Sequence, residues 1–131
     1  MTISEDSELL SFGKKIISDS QIGSLYIPDK FESFQVGWCH IIGKLNEVNI
    51  SPKNPNFKYL DEGRKIIVGK SDKQQEKFDV VLFACRDIED VTIPSYIKRL
   101  NSFSFQCCKK LKSISFSENS QLRTVGKSSF F

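Results

Sequence analysis

Histidine is almost missing from this chain: His40 is the single one among 131 residues. The four cysteines, Cys39, Cys85, Cys107 and Cys108, form no CxxC pair. These two scarcities argue against a zinc site, which takes closely spaced Cys and His ligands. The cysteines are also too sparse for a disulfide framework. No apolar run is long enough to span a bilayer as a helix. Neither sign of charge dominates, with 19 Lys and Arg against 16 Asp and Glu, a net charge of +3. The basic residues are scattered rather than striped, which argues against nucleic acid or a membrane as the main partner. The opening "MTISEDSELL" is acidic and lacks a basic start followed by an apolar stretch, so it does not read as a signal peptide. No glycine-rich phosphate loop, carboxylate pair or metal constellation stands out. The expectation is a non-enzyme without a cofactor.

The chain does contain enough apolar residues to fold. They make up 39% of it, against 27% charged, a balance ordinary for one folded domain. It also repeats itself. "ISEDSELLSFGKKII", from Ile3 to Ile17, resembles "FSENSQLRTVGKSSF", from Phe116 to Phe130. Short apolar-x-apolar units mark the period: Leu25 and Ile27, Val48 and Ile50, Val91 and Ile93, Ile114 and Phe116, with Ile3 as a truncated first copy. Successive units lie 23 or 24 residues apart, except for one step of 43. Ile22, Leu45, Ile88 and Leu111 precede the units in register. A second apolar pair follows each one: Leu9 and Phe12, Phe31 and Phe34, Phe57 and Leu60, Ile97 and Leu100, Leu122 and Val125. Ile17, Cys39, Phe105 and Phe130 come next in register.

This pattern predicts a repeat solenoid. Each coil of about 23 residues carries a short strand with alternate side chains pointing inward, and neighbouring coils stack so that their strands form a parallel sheet on one face. A single coil cannot bury its own apolar side, so it depends on its neighbours. The reading gives one domain over 1–131, of about five coils, beginning and stopping in mid-coil. The long step is read as an insert at 57–81 within the third coil. "YLDEGRKIIV" reads there as a hairpin on the far side of the coil, with Gly63 supplying a positive φ in the turn, and "KSDKQQEK" as a charged loop.

"IPSYIKRLNSFSFQCCKKLKSISF" and "FDVVLFACRDIEDVTIPSYIKRL" resemble the BspA-like class of leucine-rich repeats. Ile93, Pro94, Ile97, Leu100, Phe105, Cys108, Leu111, Ile114 and Phe116 follow that pattern in order, and Cys85 falls where Cys108 does, one coil earlier. The resemblance implies a cell-surface or secreted antigen or adhesin that binds host matrix or cell-surface protein. The absence of a signal peptide or transmembrane segment in the chain keeps a cytoplasmic scaffold for protein–protein interaction as the alternative. Both readings expect a protein ligand, no nucleic acid and no membrane insertion. They also allow end-to-end self-association, since the terminal coils would leave Phe130 and Phe131 exposed.

Candidate binding residues follow from the strand pattern. Residues between the inward ones face out. They give one row of Thr2, Tyr26, Asn49, Thr92 and Ser115, and another of Ser24, Glu47, Asp90 and Ser113. Stacking would align them into a single ladder, the usual binding surface of a solenoid. Cys85 and Cys108 are expected as stacked buried thiols, or as a disulfide if close enough, with Cys107 turned away. Cys39 and His40 are sequence neighbours on an extended segment and would face opposite ways, which makes a poor catalytic pair. Trp38, Phe12, Phe31, Phe34, Phe103, Phe105 and Phe116 read as core rather than as a base-stacking platform. "CCKKLK" is a solvated basic cluster or a contact for an anionic partner. "NIS" at Asn49 fits a glycosylation acceptor, but a glycan there would cover the ladder.

Overall fold

The computed structural model describes residues 23–34, 43–72, 74–126 and 129–130, and the backbone alone at 11–12. Its strands are β1 (Ser11–Phe12), β2 (Ser24–Ile27), β3 (Ser33–Phe34), β4 (Glu47–Ile50), β5 (Lys58–Tyr59), β6 (Ile66–Gly69), β7 (Val80–Ala84), β8 (Asp90–Ile93), β9 (Arg99–Leu100), β10 (Ser113–Phe116) and β11 (Thr124–Val125). There is no helix among the described residues. The chain winds into a solenoid of about four turns of roughly 23 residues. The expected first copy at Ile3 lies outside the described residues.

On the front face β2 pairs with β4 and β8 with β10, both in parallel. The register places Leu25 beside Val48, Ile27 beside Ile50, Val91 beside Ile114 and Ile93 beside Phe116. The alternation read in the sequence is therefore real: Leu25, Ile27, Val48, Ile50, Val91 and Ile93 are buried while their neighbours face outward. A turn of the same form follows three of these strands. The Phe31 N–H donates to the Pro28 carbonyl at 3.2 Å, Asn54 to Ser51 at 3.0 Å and Ile97 to Pro94 at 3.2 Å. In this register Asn54 occupies the inward position held by Phe31 and Ile97. Its burial is tolerable because its Nδ2 donates to the Pro28 carbonyl at 2.7 Å and the Phe31 carbonyl at 3.1 Å in the preceding coil. The rear of the solenoid carries β1 paired with β3, and a five-stranded sheet in the order β11-β9-β7-β6-β5.

The insert does more than decorate the far side. β5 and β6 do form an antiparallel hairpin, and β6 pairs antiparallel with β7 in the rear sheet. All four residues of β6 are buried, however, and both of its faces meet core. Tyr59, Ile67, Phe83 and Cys85 pack into the N-terminal cluster with Leu25, Phe31 and Val48. Leu60, Ile66, Val68, Val81 and Ala84 pack into the C-terminal cluster with Val91, Ile97 and Phe105. The hairpin and β7 thus form a partition through the solenoid, with one core on each side. Burial on both faces goes beyond the sequence reading, and the reason is that "IIVG" and "VVLFA" are continuous apolar runs, which suit a strand buried on both faces.

Two further expectations change. The turn closes with the Arg64 N–H on the Asp61 carbonyl at 3.3 Å and the Gly63 N–H on the Asp61 carboxylate at 2.9 Å. The left-handed residue is Arg64, at φ 60°, not Gly63. At the C-terminal end, Phe116 is 46% exposed and Val125 53% exposed, although the repeat marks both as inward. Among the described residues β10 and β11 are edge strands of their sheets. Phe130, expected to be exposed, is half-buried and stacks on Phe105 with ring centroids 5.3 Å apart.

Candidate functional site: the strand face and the hairpin tip

The outward residues form two ladders rather than one. β4 and β8 belong to different sheets. In the first ladder Ser24 stands beside Glu47 and Tyr26 beside Asn49; in the second Asp90 stands beside Ser113 and Thr92 beside Ser115. Glu47, Asp90, Thr92, Ser113 and Ser115 are exposed, whereas Ser24, Tyr26 and Asn49 are half-buried. Each ladder is tied internally. Asn49 Nδ2 donates to Glu47 Oε1 at 2.8 Å, and Ser113 Oγ donates to Asp90 Oδ1 at 2.7 Å. Thr2 lies outside the described residues, as do Trp38, Cys39 and His40.

Tyr59 reaches across the insert to the edge of β4. Its hydroxyl donates to the Val48 carbonyl at 2.7 Å and accepts from the Ile50 N–H at 2.9 Å. These are the groups that a following parallel strand would engage, since β4 uses its alternate groups on β2. One phenol therefore closes the edge of β4, which among the described residues has no strand partner besides β2. Arg64 holds that phenol in place: its Nη2 donates to the Tyr59 hydroxyl at 3.1 Å, and its guanidinium lies 4.8 Å from the Tyr59 ring centroid. The turn residues Asp61, Glu62, Gly63 and Arg64 are all exposed. Next to them Lys65 Nζ donates to the Asn46 carbonyl at 2.8 Å, just ahead of β4, and pairs with Asp87 at 3.1 Å, just ahead of β8. These contacts put the hairpin tip between the two ladders. The sequence reading missed Tyr59 and Arg64 as part of this face. The spacing 59 to 64 across a turn was visible, but the reach to β4 was not.

The cysteines belong to the scaffold. Cys85, Cys107 and Cys108 are free, so the disulfide reading falls away. Cys108 Sγ sits 3.8 Å from the carbonyl oxygens of Ala84 and Cys85, in the stacked arrangement the repeat implied. Burial pushes the Cys85 thiol pKa up to about 11, and burial likewise raises that of Cys108. Neither is a ready nucleophile at neutral pH. Cys107 is turned the other way, against the backbone of Gly43. The neighbour of Cys85 was not anticipated. Arg86 is 4% exposed, and its guanidinium donates to the carbonyls of Ala84, Phe103 and Ser104 at 3.3, 3.2 and 2.9 Å while lying over the Phe83 ring. It binds the end of β7 to the turn of the next coil. Among the described residues no three His, Cys, Asp or Glu side chains gather as a metal site would need, and no helix is long and apolar enough to cross a membrane.

Residues 71–131 match the family model described as BspA type leucine rich repeat region (6 copies). Residues 71–131 thus carry the BspA-type leucine-rich-repeat pattern. A leucine-rich repeat protein from Eubacterium ventriosum, known from its crystal structure, superposes on it with a TM-score of 0.66 at 20% sequence identity. That alignment covers 82% of this chain and 27% of the bacterial one, so the chain spans about a quarter of its length. It establishes the fold across most of the solenoid, including N-terminal coils that the family model leaves unmatched. No curated protein matches. Stacked repeats of this kind build extended curved rows of short strands, the surface on which solenoids bind.

Proposed function

We propose that this BspA-type module is a non-enzymatic binding domain of a cell-surface or secreted antigen or adhesin, and that it contacts a protein ligand through the front face. The observation that carries this reading is the pair of register-matched ladders, Ser24, Tyr26, Glu47 and Asn49 on one side and Asp90, Thr92, Ser113 and Ser115 on the other, with an exposed charged tip between them. The tip supplies Arg64, and the first ladder supplies Tyr26. Arg and Tyr are residue types on which interface energy concentrates. The small polar residues around them suit a rim that excludes water from these anchors.

The test is adhesion of the purified chain to immobilised extracellular-matrix protein and to intact host cells. Binding should be saturable. It should fall at least about tenfold when Glu47, Arg64 and Asp90 are changed together to alanine, a loss of about 1.4 kcal/mol. No saturable binding, or unchanged binding by that variant, would remove the proposal. End-to-end self-association belongs to the same reading, because the edge strands β10 and β11 present Phe116 and Val125 to solvent. In sedimentation analysis Phe116→Ser is expected to raise the concentration at which association begins; a wild-type monomer at high concentration counts against association.

A further inference from the structure

Where the chain bends from β4 into β5 there is an open cleft of about 260 Å³, with Ile50, Pro52, Pro55, Phe57, Tyr59 and Phe78 among its walls. The volume lies just below the usual range of small-molecule pockets, roughly 300–1,000 Å³, and suits one bulky side chain. The Tyr59 hydroxyl is already committed to β4 and Arg64. A ligand therefore meets only the ring of Tyr59; the polar wall residues Ser51 and Asn54 are bonded to Asp29 and to the Pro28 and Phe31 carbonyls, and the other walls besides Lys58 are apolar and aromatic.

Two lysines flank this cleft on one side, while on another the Asp29 carboxylate is occupied by Ser51 Oγ. Lys58, which also lines it, holds its ammonium 4.6 Å from the Phe78 ring centroid, and Lys70 holds its own 5.0 Å from the same centroid. Lys58 pairs with Val68, and Lys70 follows the end of β6, so the hairpin brings both ammonium groups to the same ring. Among the described residues neither lysine has a carboxylate partner. Besides Asp29, which Ser51 engages, Asp79 is 1% exposed and already engaged. It accepts from the Ser71 N–H at 2.8 Å and Ser71 Oγ at 2.6 Å, and faces Lys98 Nζ at 4.0 Å. Two ammonium groups thus converge on one aromatic ring at the mouth of an apolar cleft. Their cation–π contacts restrain them and leave their remaining N–H donors for an anion.

We propose that this cleft is a second docking site, separate from the front face, for a partner peptide that inserts one aromatic or large aliphatic side chain and sets a flanking carboxylate against Lys58 and Lys70. An apolar anchor alone would leave the two ammonium groups unanswered. A polyanion alone would leave the cleft empty. Only a segment combining the two features uses both parts of the site.

Titration of the isotope-labelled chain, followed by NMR, tests this with three blocked peptides: one with a central phenylalanine flanked by aspartates, one with serine in place of the phenylalanine, and one with lysines in place of the aspartates. The first should shift the amide signals of Ile50, Lys58, Tyr59 and Phe78 saturably, at least about tenfold more tightly than either control. Lys58→Gln with Lys70→Gln should lower its affinity about tenfold. Raising the salt to about 0.5 M should weaken it, as expected for partly exposed charges. Absence of shifts at the cleft at millimolar peptide, equal binding of the acidic and basic peptides, or full binding by the double variant would overturn the proposal. A variant with Glu47→Ala and Asp90→Ala, which leaves Arg64 on Tyr59, should bind the peptide as wild type does, so failure of the front-face reading and failure of this one are distinguishable.

Discussion

Replacing Tyr59 by phenylalanine removes one oxygen and leaves the ring. That oxygen engages the Ile50 N–H at 2.9 Å, the Val48 carbonyl at 2.7 Å and Arg64 Nη2 at 3.1 Å. Ile50 and Val48 are buried, and among the described residues β4 has no strand partner besides β2 to take over their outward backbone groups. Leaving a buried backbone group unpaired costs about 1–3 kcal/mol. Two are orphaned here, but the site is only part-buried and water reaches some of it. The Arg64 bond is exposed and adds little. The expected loss is about 2 kcal/mol, seen as a lower urea midpoint with an unchanged slope and a fall in Tm of roughly 5–10 °C for a chain of this size. Amide exchange localises the effect: the Ile50 N–H should lose protection while Leu25 and Ile27 in β2 keep theirs. A Tyr59→Phe protein within about 0.5 kcal/mol of wild type, with Ile50 still protected, would refute the idea that a phenol stands in for a strand.

Three other outcomes follow from buried polar groups. Arg86→Met should destabilise by about 2–4 kcal/mol in urea denaturation, because the carbonyls of Ala84, Phe103 and Ser104 lose a charged donor; Arg86→Lys should recover only part, lacking the planar fork. At Asp79 burial raises the carboxyl pKa, but hydrogen bonds from Ser71 and Gln75 outweigh it, and the net shift is below the ordinary 3.8. Its contribution to stability is therefore complete above the unfolded value and is lost as pH falls through the lower folded value; Asp79→Asn should flatten the wild-type curve below about pH 4. The Cys85 thiol has the opposite sign: with its pKa raised to about 11, stability should decline as pH rises from about 9, and alkylation of the native protein at pH 7.5 should modify Cys85 far more slowly than the denatured chain.

The period, the inward residues and the family resemblance were all legible in the sequence. Burial on a short strand alternates residue by residue, and a solenoid repeats that alternation at every coil, so Leu25, Ile27, Val48, Ile50, Val91 and Ile93 announce themselves by spacing alone. The outward ladder residues were legible for the same reason, each by its position relative to an inward neighbour. The hairpin between Tyr59 and Ile66 could be read from its turn. What it packs against could not, though the unbroken apolar runs "IIVG" and "VVLFA" were a signal of burial on both faces that strict alternation hid.

Other features arise only when distant segments meet. The front ladder breaks in two because the insert occupies the coil between β4 and β8. Phe116 and Val125 are exposed because a repeat position buries its side chain only where the next coil lies over it. Arg86 is buried because Ala84, Phe103 and Ser104 present their carbonyls together, and no local pattern encodes that convergence. Tyr59 seals β4, and Lys58 and Lys70 share the Phe78 ring, through the same kind of non-local contact. The sequence by itself determined the winding, since winding is a local period summed over coils. The tertiary structure decided the partition, the sealed edge and the cleft, since each depends on side chains brought together by the stacking of coils rather than by their spacing in the chain.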